Sequence, residues 1–189
     1  MTLKRIKLKA VFMAEKFNLD AHIRRIPDFP KPGVLFYDIT SILVNPEAFR
    51  YCVDTMVEIY RDKHIDAVAA IEARGFLFAA PFADRLGIPL LLIRKKGKLP
   101  GKKLTKAYAL EYGQAEVEIQ PDDVPQGKRV LLTDDLIATG GTLKAARELI
   151  TESGGVVTDI FGVVGLPFLN YRAVLGDISV RTLIEYDSE

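Results

Sequence analysis

The sequence predicts an α/β fold in which a central, mostly parallel sheet is flanked by helices and carries a small N-terminal hood or flap. Three observations lead there. Short apolar runs alternate with helix-like segments from residue 45 to residue 184. One run, Val130-Leu131-Leu132, leads into two acids and a glycine-containing loop before another helical stretch. A proline-rich segment, Pro27, Pro30 and Pro32-Gly33, stands outside that alternation, because its fixed φ angles enforce an extended, turning chain.

Each element has its own reason. Residues 9–25 are expected to be helical. Asn45 as N-cap and Pro46 at the first position predict a second helix. Its apolar face is Phe49, Cys52, Val53, Met56, Val57 and Tyr60, at helical spacing. Ile65 to Ile71 reads as a buried strand, followed by Glu72-Ala73-Arg74-Gly75. A helix from Phe76 to Leu86 comes next, with Gly87 as its C′ residue and Pro81 implying a kink. Pro89 to Ile93 is a strand, and Ala107–Glu111 with Glu116–Ile119 form a strand pair beyond a long loop. After Val130–Leu132, a helix over Leu143–Ser153 closes at Gly154-Gly155. Val156–Val164 and Val180–Ile184 are the last strands. Strands alternating with helices imply a parallel sheet covered on both faces, and 189 residues suit one domain.

Composition narrows the function classes. A net charge of +1 supplies no global field towards nucleic acid or membrane, so neither is expected as a partner. One cysteine excludes an internal disulfide, and two histidines argue against a Cys/His zinc site. No apolar run reaches the length of a membrane span. The start, Met1 to Lys9, is basic, but the apolar stretch after it is broken by Glu15 and Lys16, which argues against a signal peptide. A cytoplasmic location is expected.

The chemistry concentrates at residues 130–142. Asp134 and Asp135 fall where the strand is expected to end, and strand ends are where open α/β sheets bind ligands. The loop Ala138-Thr139-Gly140-Gly141-Thr142 opens a helix, whose N–H groups favour an anion such as phosphate. A side chain at Gly140 is expected to occupy the space where a phosphate meets the backbone, and to be penalised if the loop uses a positive φ. Acids for a sugar diol beside amides for a phosphate describe a ribose 5-phosphate site. The bland reading of Asp-Asp and glycine, as caps and turns, weighs evenly against the acids alone but poorly against the whole string. No Gly-x-x-x-x-Gly-Lys-Ser/Thr or Gly-x-Gly-x-x-Gly occurs.

Residues 94–106 carry Arg94, Lys95, Lys96, Lys98, Lys102, Lys103 and Lys106 and no acid, and Gly97, Pro100 and Gly101 make a mobile loop the expectation. A solvated surface and a basic lid over a polyphosphate are equally good readings of that run. Tyr108 is the nearest aromatic residue, so stacking platforms for nucleic acid are absent from it. Arg74 follows a buried strand and suits phosphate oxygens, though an ion-pair role is as good a reading. Glu111 is a strand-edge acid, a type more often solvated than catalytic.

Read together, these pieces resemble a known family. The string 130–142 resembles the phosphoribosyl-diphosphate-binding signature of the type I phosphoribosyltransferases. Residues 26–33, 36–40, 72–78, 93–100 and 110–113 occur in the order found in the adenine-specific branch, so residues 20–186 resemble that branch, and residues 1–15 lie outside the match. The resemblance implies transfer of a 5-phosphoribosyl group to adenine, with Mg²⁺ carried by the substrate, no protein metal site, and a homodimer. It implies that Asp134 and Asp135 contact ribose hydroxyls and that residues 138–142 hold the 5′-phosphate. Arg74 and the basic loop, with Arg94, Lys95 and Lys98, would face the diphosphate, and Glu111 would be the acid/base. Leu35, Phe36 and Tyr37 would line the adenine pocket, under a hood formed by about 20–45. Many members carry Arg where Tyr37 stands, so Leu35 backbone and Phe36 packing are the contacts that survive. Related 6-oxopurine enzymes place an Asp where Ala138 stands, which counts against hypoxanthine or guanine. Two alternatives stay open: another base such as xanthine or orotate, or a non-enzymatic phosphoribosyl-diphosphate-binding regulator.

Overall fold

The computed structural model describes residues 17–109 and 113–188. Two short strands form a flap and seven form the main sheet, and they alternate with helices. They are β1 (Arg24–Pro27), β2 (Leu35–Asp38), β3 (Ala67–Ile71), β4 (Leu90–Lys95), β5 (Leu104–Ala109), β6 (Gln114–Ile119), β7 (Arg129–Ile137), β8 (Val156–Gly165) and β9 (Ser179–Glu185). The helices are α1 (Thr40–Leu43), α2 (Pro46–Tyr60), α3 (Gly75–Leu86), α4 (Gly141–Glu152) and α5 (Tyr171–Leu175).

The main sheet runs β5-β6-β4-β3-β7-β8-β9. Its five strands from β4 to β9 in that order are parallel, and β6 and β5 add an antiparallel ribbon at one edge. β3 explains how two faces are covered. Its five residues, Ala67 to Ile71, are all buried. Val68 and Ala70 enter one core with Phe78 and Phe82 of α3 and Met56 of α2, whereas Ala67, Ala69 and Ile71 enter the other with Leu149 and Ile150 of α4. Alternation along the strand divides its side chains between those cores. From β3 the chain moves to β4 through α3, and from β7 to β8 through α4. The connections diverge from two adjacent strands, which opens a crevice between their carboxyl ends.

β1 and β2 pair antiparallel, Arg24 opposite Asp38 and Pro27 opposite Leu35, as a flap separate from the main sheet. This corrects the expected helix over 9–25: its described part is a short 3₁₀ turn at Leu19–His22 followed by strand, and the rest lies outside the described residues. Cross-strand hydrogen bonds to β2 override the local helical pattern. Leu19, Ile23, Tyr37, Ile39 and Ile42 seat the flap on the core beside Val163 and Val164 of β8. The strand after the basic run also begins earlier than expected, at Leu104, because Lys106 and Tyr108 pair with Val117 and Ala115. No helix among the described residues is long and apolar enough to cross a membrane.

Asn45 caps α2 as its sequence position suggested. Its Oδ1 accepts from the Glu47 and Ala48 N–H groups, both at 3.0 Å, and its Nδ2 lies 3.0 Å from His22 Nδ1, tying the helix to the turn before the flap. Asn45→Ala therefore costs about 0.5–2 kcal/mol of stability. Urea unfolding should show a lower midpoint with an unchanged slope; an unchanged midpoint would remove the cap from the account.

Candidate active site

The crevice at the carboxyl ends of β3 and β7 has a volume of about 400 Å³. Arg74, Lys95, Asp134, Asp135, Ala138 and Thr142 all border it, so six residues singled out in the sequence share one wall-to-wall space. The strand does not end at the acids as expected. β7 continues to Ile137, paired with β8 as far as Gly165, so the backbone that carries both carboxylates is held within the sheet.

Asp135 is 5% exposed, and its Oδ2 accepts from Arg74 Nε at 2.6 Å. The ion-pair role considered for Arg74 is thus present, and the side chain still borders the crevice. Asp134 Oδ1 accepts from the Asp135 N–H at 2.9 Å. Burial pushes the Asp134 carboxyl well above the usual carboxylate range, the adjacent Asp135 charge adds to the rise, and Arg74 opposes it. Gly75 permits the approach of α3 to this pair. A Cβ there would lie 3.2 Å from Asp134 Oδ1 and 3.3 Å from Asp134 Cα.

The loop after β7 forms a smaller hollow of about 80 Å³ bordered by Asp134, Ala138, Thr139, Gly140 and Thr142. No side chain caps the start of α4, so its first-turn N–H groups are left for an anion. Gly140 has φ 80°, a value that favours glycine. The expected reason for its missing side chain needs correction: a Cβ would meet Tyr171 Cβ and Leu175 Cγ, both at 3.2 Å, behind the loop and not in the hollow. Gly141 faces Ala109 and Tyr108 of β5 instead.

The basic run is largely answered by acids within the protein. Lys96 pairs with Glu116, Lys102 with Asp122, Lys103 with Glu118, and Lys106 with Glu148 and Glu152. Arg94 and Lys95 belong to β4, and Leu104–Lys106 to β5, so the connecting loop is 96–103. Arg94 grips Glu72 through Nε at 3.2 Å and a terminal nitrogen at 3.1 Å, and its other terminal nitrogen donates to the Lys98 carbonyl at 2.9 Å. That pairing holds the Glu72 carboxyl below the usual range, helped by the Lys95 N–H. Lys95 is the member of the run that borders the crevice.

Glu72 and the 2% exposed Glu118, which accepts from the Gly97 N–H, were not assigned roles from sequence. A signal existed for Glu72: pairing of Ile71 with Ile93 sets the two following residues, Glu72 and Arg94, side by side. Leu35, Phe36 and Tyr37 lie on β2 and do not border the crevice; Phe36 meets Phe29 at 5.0 Å, whereas Tyr37 is buried against Tyr186. Glu111 lies outside the described residues.

Residues 38–158 match the phosphoribosyl transferase domain family. The adenine phosphoribosyltransferase of Treponema denticola is 65% identical over 189 residues, covering 100% of this chain and 99% of that protein. Among solved structures, the Thermoanaerobacter pseudethanolicus adenine phosphoribosyltransferase superposes with a TM-score of 0.85 at 43% identity, covering 89% of this chain and 98% of that one. The Saccharomyces cerevisiae enzyme, solved with an imino-altritol bisphosphate and adenine, gives 0.82 at 37% identity, covering 87% and 96%. The two carboxylates on β7, the uncapped start of α4 and these matches agree, and the chain belongs to the adenine phosphoribosyltransferase family.

Proposed function

We propose that this chain transfers the 5-phosphoribosyl group of 5-phospho-α-D-ribose 1-diphosphate to N9 of adenine, forming AMP and diphosphate. The observation that carries this reading is the meeting of Asp134 and Asp135 with the uncapped start of α4 in one crevice, at the switch between β3 and β7. The adenine and sugar bisphosphate analogue bound by the yeast relative have the same chemistry.

N9 forms its bond to C1 as the bond from C1 to diphosphate breaks. Positive charge develops on the ribose ring and negative charge on the leaving group. Asp134 and Asp135 hold the ring hydroxyls and favour the ring cation, while residues 138–142 anchor the 5′-phosphate. Arg74 and Lys95 face the departing diphosphate, and Arg94 positions that wall through Glu72 and the Lys98 carbonyl. Leu35 and Phe36 line the base pocket, with residues of about 20–45 as its hood, and Glu111 takes the proton that N9 loses. The carboxylates bordering the crevice are hard oxygen donors, which fits Mg²⁺ arriving on the substrate's own oxygens. When bound there it would offset diphosphate charge. We place the reaction in the cytoplasm, where such multiply charged phosphates are retained. We take the assembly to be a homodimer, as the family resemblance implies.

Incubation with labelled phosphoribosyl diphosphate and a panel of bases tests the reading. Adenine alone should yield nucleotide; turnover of xanthine or orotate would reassign the base, and binding without turnover would identify a regulator.

Asp134→Asn separates function from stability. The folded-state value of this carboxyl lies above its unfolded value, so the stability it confers is full below the unfolded value and is lost as pH rises through the folded one. Asn abolishes that loss. Near pH 7.5 the variant's Tm should exceed that of the wild type by about 2 °C or more, the gain fading by about pH 3.5. Its kcat/KM should fall by about 10-fold or more, from loss of a charge-assisted bond of about 1.5–3 kcal/mol. A lower Tm at pH 7.5 would contradict the buried charge.

Glu111→Gln should lower turnover by about 10²–10⁴-fold while phosphoribosyl diphosphate binding stays within about twofold. Rapid-quench measurement of the first turnover decides it. A first turnover as fast as wild type would move the proton to water or a substrate phosphate.

A further inference from the structure

Adjacent residues at the end of β9 reach two different parts of the molecule. Glu185 Oε1 accepts from the Tyr171 hydroxyl at 2.7 Å, from Arg172 at 2.8 Å and from Thr182 Oγ1 at 2.9 Å, so it holds α5, the wall behind Gly140. Tyr186 turns to the flap. Its ring stacks on Tyr37 of β2 with centroids 3.9 Å apart and planes inclined by 8°. Its hydroxyl donates to Asp20 Oδ1 at 2.5 Å, and the same oxygen accepts from Arg25 at 2.6 Å. The Arg25 guanidinium lies over both rings, 5.2 Å from the Tyr186 centroid and 5.9 Å from that of Tyr37. The Tyr37 hydroxyl donates to the Ser188 carbonyl at 3.2 Å. Asp20, Arg25 and Tyr37 are thus gathered onto one aromatic side chain that follows the last strand.

We propose that Tyr186 is a positioning residue for base binding: it latches the β1–β2 flap in the attitude that aims Phe36 at the base. Successive side chains on a strand point to opposite faces, so pinning Tyr37 inward fixes the side from which Phe36 projects. A flap of two four-residue strands is marginal by itself, and its orientation depends on what it is fastened to. The latch joins residues separated by 151 and 166 positions, so its grip on the flap is tertiary and owes nothing to local turn geometry. Glu185 provides the contrast, since its bonds go to Tyr171 and Arg172 of α5 and to Thr182 of its own strand, and none of these is in the flap.

This inference rests on the base-pocket reading, and two readouts keep the two apart. Hydrogen exchange measures the flap without substrate. Tyr186→Ala should speed exchange of the amides in 24–38 while those of β7 and α4 keep wild-type protection. Tyr186→Phe, which keeps the stack and loses the Asp20 bond, should lie between. Kinetics measure the consequence: in Tyr186→Ala the KM for adenine should rise about three- to tenfold, the worth of one aromatic pair, with the KM for phosphoribosyl diphosphate within about twofold. Glu185→Gln should reverse that pattern. Unchanged flap exchange in Tyr186→Ala overturns the latch whatever the activity. Faster flap exchange with both KM values raised alike, or with neither raised, overturns the link to base binding. Absence of AMP formation by the wild-type protein overturns the adenine reading and leaves the exchange result to judge the latch.

Discussion

Hydrogen-bonded neighbours β3 and β7 send their chains to opposite faces of the sheet, and the crevice exists because of that divergence. Ala67 to Ala70 pair with Val130 to Thr133, so the residues after each strand end share one edge. Glu72 and Arg74 come from one side, Asp134 and Asp135 from the other. Small residues in β3, three alanines among five, let α3 and α4 close over the two faces. Gly75 then lets α3 start against Asp134 itself. Two carboxylates are held side by side at a depth where at least one resists ionisation. Sheet pairing to Gly165 and the Arg74 ion pair stabilise an arrangement that Coulomb repulsion opposes. Sites that bind developing positive charge are expected to retain such unfavourable groups.

Much of this was legible in the residues. Strand and helix periods gave the order of elements, Asn45-Pro46 gave the start of α2, and Asp134 to Thr142 marked the strand-end site. What the sequence concealed was set by pairing. A helical pattern up to residue 25 yields to β1 because β2 offers it a partner. Lys96, Lys102, Lys103 and Lys106 read as one uniform run, yet their acids lie on β6, on the turn after it and on α4, remote in sequence. A charge count along the chain cannot show which charges are already answered. Gly140 stands out in the sequence, but the group it makes room for comes from Tyr171, 31 positions away and on a helix too short to be read from its pattern.

The basic run also shows how a charged segment changes meaning once folded. Arg94 holds Glu72 with two nitrogens and the Lys98 carbonyl with a third, so one side chain fixes the end of β3, the end of β4 and the turn between β4 and β5. Leu99 is buried within that turn, and Gln120 donates to the Pro100 carbonyl. Lysine pairs exposed to solvent add little stability by themselves. Pairing of β6 with β4 sets the ribbon against the parallel strands, and Lys95 and Tyr108 border the same crevice as the two aspartates.

The aromatic contact between β2 and the segment after β9 has a consequence for the order in which the molecule is assembled. Emerging from a ribosome, the chain delivers the flap first and Tyr186 only after every strand of the main sheet has been made. Until then Tyr37 has an unfilled apolar seat, and the flap cannot settle. The contacts between β7 and α4 are local in the chain, whereas the seat of the flap spans most of it and closes last. A nascent chain stalled short of residue 186 would carry a paired but unfastened flap.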